Sequence, residues 1–157
     1  MEERRIILNY RSVCTEDLSE KDKQLRNAVV EAAKDAYSPY SHFCVGAAVL
    51  LEDGTIVKGN NQENVAYPSG LCAERVALFS AGASFPAIPA VALAIVAIKD
   101  GEIQSSISPC GACRQVMLET EQRYSRPLRI VLCGSDETII VCSAKDLLPL
   151  CFEKGNL

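Results

Sequence analysis

Apolar positions along the chain switch between two spacings. Leu25, Ala28, Val29, Ala32, Ala33 and Ala36 recur three and four apart, the period of an amphipathic helix. Ser19 with Asp22 gives that helix a relaxed capping box, and Ser38-Pro39 predicts its end. Cys44 to Leu51 is a run of small and β-branched residues. Glu52-Asp53-Gly54 then signals a turn and Thr55 to Lys58 resumes extended character, so the stretch predicts a hairpin. Gly59 to Leu71 is polar, holds Pro68 and Gly70, and predicts a functional loop. Val76, Ala77, Leu78 and Phe79 predict a helix over 73–83. Ala90 to Ile98 is apolar throughout, as in a strand covered on both faces. Gly111 to Thr120 predicts another helix, Leu128 to Cys133 and Ile139 to Ser143 two more strands, and Asp146 to Leu150 a short helix. At the start, Ile6, Leu8 and Tyr10 alternate and suggest a short strand. This order predicts an α/β layered sheet with helices on its faces.

Composition narrows the function. The 157 residues suit a single domain, with residues 1–14 as an N-terminal extension. The net charge of −4 with no Lys/Arg run argues against a nucleic-acid partner. The longest apolar run, Ala87 to Ile98, is broken by Pro89 and too short to span a bilayer, so no membrane partner is expected. Ile6-Ile7-Leu8 is too short for a signal-peptide core, which predicts a cytoplasmic protein.

Eight cysteines require an explanation. In a reducing compartment, metal binding is favoured over disulfides. Cys44, Cys133 and Cys142 sit in strand-like apolar runs and are expected to act as small buried hydrophobes; Cys14 and Cys151 carry no assigned role. Cys72 and the Cys110-Gly111-Ala112-Cys113 pair remain. Three thiolates and one open position make a catalytic zinc site, whereas a fourth protein ligand would make a structural one. Glu74, two residues from Cys72, is placed to move protons on and off a water at that open position. Both cysteine stretches fall at predicted helix N-termini, whose partial positive charge would offset three thiolates. Arg75 and Arg114, each beside one of these cysteines, are the candidates to hydrogen-bond the sulfurs, with Arg75 favoured; the sequence leaves open which of them does so.

Cys72-Ala73-Glu74-Arg75 followed by Ser108-Pro109-Cys110-Gly111-Ala112-Cys113-Arg114-Gln115 resembles the zinc-dependent cytidine deaminase family, in its small, three-cysteine, homotetrameric form. The stretches Ala36 to Phe43, Val45-Gly46-Ala47-Ala48, Asn61 to Asn64, Leu147-Leu148-Pro149 and Phe152 agree in the same order. The resemblance implies a three-layer α-β-α fold with a mixed sheet and helices on both faces, one Zn²⁺ per subunit, and hydrolysis of cytidine and 2′-deoxycytidine to uridine and 2′-deoxyuridine in pyrimidine salvage. It implies Cys72, Cys110 and Cys113 as zinc ligands. Glu74 would be the proton shuttle between the attacking water, ring N3 and the departing amine. Asn61 and Glu63, with Gln62 between them, would hold the ribose hydroxyls. Phe43 would pack on the base, the Ala73 N–H would bind the base carbonyl, and Phe152 would reach the base of a neighbouring subunit.

No histidine stands where Cys72 is, which separates this chain from the tRNA adenosine and deoxycytidylate deaminases. The loop Tyr67 to Leu71 differs from the form expected of the family and bears on substrate range. Two other readings share the motifs or the metal: a deaminase of blasticidin-S-type antibiotics, and a non-catalytic structural zinc protein.

Overall fold

The computed structural model describes residues 1–156. Seven strands form one mixed sheet: β1 (Tyr10–Cys14), β2 (Phe43–Leu51), β3 (Ile56–Asn60), β4 (Ala90–Lys99), β5 (Glu102–Ile103), β6 (Arg129–Cys133) and β7 (Glu137–Val141). The helices are α1 (Glu20–Lys34), α2 (Ala73–Ser84) and α3 (Gly111–Tyr124). The sheet order is β1-β7-β6-β4-β2-β3, with β5 folded back on β4. β4 and β6 run parallel; the other pairs are antiparallel. The parallel pair encloses α3, as a crossover requires.

Alternation along the strands builds two cores. Ala47, Val49, Leu93, Ile95, Ile130 and Leu132 face α2 and α3. Ala48, Ala92, Ala94, Val96, Val131 and Cys133 face α1. The order of layers is therefore helix, sheet, helix, as the resemblance implied. β4 is buried on both sides, which is why its sequence shows no polar alternation.

Two glycines set how closely the layers approach. A Cβ on Gly46 would lie 2.0 Å from the Val29 carbonyl of α1. A Cβ on Gly59 would lie 2.5 Å from the Ala77 nitrogen and 2.8 Å from the Ala73 carbonyl of α2. The first turn of α2 thus rests directly on β3.

Several expectations need correction. The N-terminal strand is Tyr10–Cys14 rather than the Ile6-to-Tyr10 alternation, because its backbone pairs with the outer edge of β7. Residues 146–150 are not a helix; a single 3-10 turn covers Ala144–Leu147. The expected 59–71 loop begins inside β3 and contains a 3-10 turn at Tyr67–Ser69. Cys133 is buried as expected, but Cys44 is only half-buried, and Cys142, just past the end of β7, is exposed.

Candidate active site

α2 and α3 both start at a cysteine. Cys72 is the N-cap of α2 and Cys110 the N-cap of α3, each with extended backbone and no side-chain capping bond. Their sulfurs are left to face one another. Cys113 follows one turn into α3 and is fully buried. The Cys72 and Cys110 Sγ atoms are 3.9 Å apart, and those of Cys110 and Cys113 are 3.5 Å apart. All three sulfurs lie within 4.8 Å of one another. Tetrahedral zinc with Zn–S bonds near 2.3 Å needs sulfurs about 3.8 Å apart, so the donor set fits. Among the described residues no fourth Cys, His, Asp or Glu joins the cluster.

The three thiols do not share their protons equally. The hydrogen bond from Cys113, with smaller help from Arg75 and Cys110, outweighs burial and lowers Cys72 to about 5. Donation to Cys72 and burial push Cys113 far above the ordinary thiol range. Cys72 is therefore the sulfur readiest to receive a cation, and binding must release the proton held by Cys113. Arg75 Nη2 lies 3.7 Å from Cys72 Sγ, the position expected of it. Arg114 is elsewhere. Its Nε donates to the Pro109 carbonyl at 2.9 Å and its Nη1 to the Leu147 carbonyl at 2.9 Å. Of the two candidate arginines, Arg75 therefore meets sulfur and Arg114 does not, because two buried carbonyls hold its guanidinium.

Cys72 of this cluster lines an open cleft of about 750 Å³. Glu74 lines it and is only 4% exposed. Burial, reinforced by the Cys72 thiolate, raises the affinity of its carboxyl for a proton, although its own backbone N–H and Cys113 pull the other way. Ala73 is the first residue of α2, so its N–H has no partner within the helix. Phe43, Asn61, Gln62 and Glu63 line the same cleft.

These residues are tied to one another. The Asn61 side chain accepts from Val45 N at 2.8 Å and donates to Phe43 O at 2.9 Å. Glu63 Oε2 accepts from Tyr40 N at 2.9 Å and Ser41 N at 3.3 Å, and its other oxygen accepts from the Ser41 hydroxyl. The Ser41 hydroxyl, then the Tyr40 N–H, hold the Glu63 carboxyl below its usual range. Gln62 Nε2 donates to Asn60 Oδ1 at 2.5 Å. Phe152 stands apart from this cleft: its ring is 62% exposed and its carbonyl accepts from Gln115 at 2.8 Å.

Residues 19–125 match the cytidine and deoxycytidylate deaminase zinc-binding region. The chain belongs to this deaminase family. It is 43% identical to the cytidine deaminase of Sporosarcina psychrophila over 127 residues, 81% of this chain and 88% of that one. It is 47% identical to the cytidine deaminase of Mycobacterium tuberculosis over 111 residues, 67% of this chain and 77% of that one. The crystal structure of cytidine deaminase from Burkholderia pseudomallei shares its fold with a TM-score of 0.72 at 40% identity, covering 86% of this chain and 100% of that one. The cofactor of this deaminase domain is zinc, and the three cysteines are the cluster able to take it.

Tyr67 and Leu71, in the loop expected to bear on substrate range, do line the cleft; sequence reasoning missed Ile107. Ile107 carried a signal, since it directly precedes Ser108-Pro109. Tyr40 and Ser41 lay inside a motif already singled out, yet their hold on Glu63 depends on a contact between residues more than twenty positions apart.

Proposed function

We propose that this chain is a zinc-dependent cytidine deaminase that hydrolyses cytidine and 2′-deoxycytidine to uridine and 2′-deoxyuridine with release of ammonia, acting as one domain in pyrimidine salvage. The observation that carries the reading is the buried Glu74 in an open cleft whose wall includes Cys72, one of three clustered cysteines. Bound zinc would supply Lewis acidity, enough to make water nucleophilic near neutral pH. Cys72, Cys110 and Cys113 would hold it.

Glu74 then has two tasks. As a carboxylate it takes a proton from the attacking water and delivers it to ring N3 as the oxygen bonds to C4. It next takes the proton of the new C4 hydroxyl and passes it to the amine as the C4–N bond breaks, leaving the C4 carbonyl and ammonia. A carboxyl whose burial favours its protonated form is suited to both directions of transfer. The Ala73 N–H, at the first position of α2 and in the cleft wall, is assigned to the base carbonyl. Phe43 packs on the base.

Asn61 and Glu63 are assigned to the sugar hydroxyls, with Gln62 at their side. Their existing bonds leave room for this. Asn61 uses one donor and one acceptor of its amide, half of what the group offers. Glu63 accepts three bonds where a carboxylate takes about four. Its negative charge disfavours a phosphate in the same place.

The exposed Phe152 supports a homotetramer in which this ring reaches a neighbour's base. No described helix is long and apolar enough to cross a membrane, in keeping with a cytoplasmic enzyme. Absorbance loss from cytidine, with zinc quantified in the same sample, tests the activity. In Glu74→Gln, zinc content should persist while kcat falls by about 10²–10⁴ or more. Undiminished kcat in that variant, or turnover of a cytosine antibiotic without turnover of cytidine, overturns the reading.

A further inference from the structure

Arg114 does not meet the sulfurs, and its actual partners suggest a different role. It is the fourth residue of α3, one after the Cys113 ligand. Its Nε reaches back to the carbonyl of Pro109, the residue before the Cys110 ligand, and its Nη1 reaches out to the carbonyl of Leu147. Pro109 and Leu147 are both buried, so both carbonyls need donors from the protein. A guanidinium has a rigid fork of donors that serves two fixed acceptors at once.

Leu147 is itself held in place from α3. Glu121, seven residues after Arg114 and so on the same helix face, accepts from Ser143 Oγ at 2.9 Å, Ala144 N at 2.8 Å and Lys145 N at 3.3 Å. A second pair at the same spacing lies alongside. Gln115 donates to the Phe152 carbonyl at 2.8 Å, and Gln122 donates to Glu153 at 3.1 Å. Two parallel tracks on α3 therefore fasten residues 143–153 across the helix. The N-terminal end of one track is the zinc turn.

We infer that Arg114 is a positioning residue for the zinc site, bracing the Pro109–Cys110 turn against the C-terminal segment through Leu147. The segment and the metal turn then share one support, and loosening either one weakens the other. This inference rests on zinc lying at the three sulfurs.

Zinc transfer to a chromophoric chelator, read alongside thermal melting of the zinc-loaded protein, tests it. The parent is measured first; a parent that carries no zinc overturns the functional reading rather than this one. With the parent loaded, Arg114→Ala should lower zinc affinity about 10- to 100-fold. Arg114→Gln keeps an N–H donor without the charge and should retain zinc better than Arg114→Ala. If Arg114→Lys instead restores parental affinity while Arg114→Gln behaves as Arg114→Ala, charge near the sulfurs is the cause and bracing is overturned.

Glu121→Gln lies two helical turns from the metal and loosens the Ser143–Lys145 turn. It should lower zinc affinity about 2- to 10-fold, and add little in an Arg114→Ala background. Parental zinc affinity in folded Arg114→Ala, or full additivity of the two substitutions, overturns the inference.

Discussion

The starts of α2 and α3 make a controlled comparison inside one molecule. Each begins with a cysteine N-cap that offers no capping bond, each feeds a sulfur into the same cluster, and each carries an arginine within its first four residues. Yet Arg75 meets a sulfur and Arg114 meets two carbonyls. The difference lies in what each helix packs on. α2 lies against β3 with only Gly59 between them, so its first turn is located by backbone contact and its arginine is free for the thiolate. At the start of α3 the glycine faces open space, since a Cβ on Gly111 would meet nothing within 4 Å. Its first turn is located by a side chain instead. Similar local sequences thus take on separate electrostatic and mechanical duties.

Removing what the two starts share should have the largest effect. Stripping zinc from the active protein with a chelator unties α2 from α3. If zinc is present at about a thousand times its dissociation constant, its loss removes about 4 kcal/mol, which predicts a melting temperature lower by roughly 10 °C. An unchanged melting curve for the metal-free protein would break the claim that the metal holds both starts together.

A pair of glycine substitutions sharpens the contrast. Gly59→Ala drives a methyl into the backbone of α2 and should cost about 1–3 kcal/mol, with activity falling as Cys72 and Glu74 move. Gly111→Ala should leave stability within about 0.5 kcal/mol. Denaturant melts of the two variants check this, and equal losses would remove the packing difference.

Arg75→Ala should have the smallest effect, about a tenfold loss of zinc affinity, accompanied by a change with pH. The Cys72 thiol is held at about 5 chiefly by Cys113 and in lesser part by Arg75. Without the guanidinium, Cys72 keeps its proton to higher pH, and protons compete better with the metal. Zinc loss on acidification should therefore begin at a higher pH in the variant, as followed by a metal indicator across a pH series. Loss at the same pH would reassign Arg75 to packing.

The helices were readable because their apolar residues follow a local period. Leu25, Val29, Ala32 and Ala33 mark α1 without reference to any other part of the chain. Cys72, Cys110, Cys113 and Glu74 stood out as candidates because thiolate and carboxylate chemistry is specific and because Cys72 with Glu74, and Cys110 with Cys113, each form a short local stretch. Other features were not local. Residues 10–14 became a strand because β7 offered an unpaired edge. Cys142 looks like a strand residue but lies past the last β7 pairing and is exposed. Ile107 looks like an ordinary loop residue until the fold sets it in the wall of the cleft.

The order of residues was thus enough to specify the reactive groups, their intrinsic affinity for a metal, and the helices that carry them, since each depends on neighbours within one or two turns. The fold was needed to bring Cys72 within 3.9 Å of Cys110, 38 positions away, to bury Glu74, and to give the two arginines unlike partners. Those outcomes depend on which distant surfaces meet, and on which buried carbonyl or sulfur is left in need of a donor once they have met.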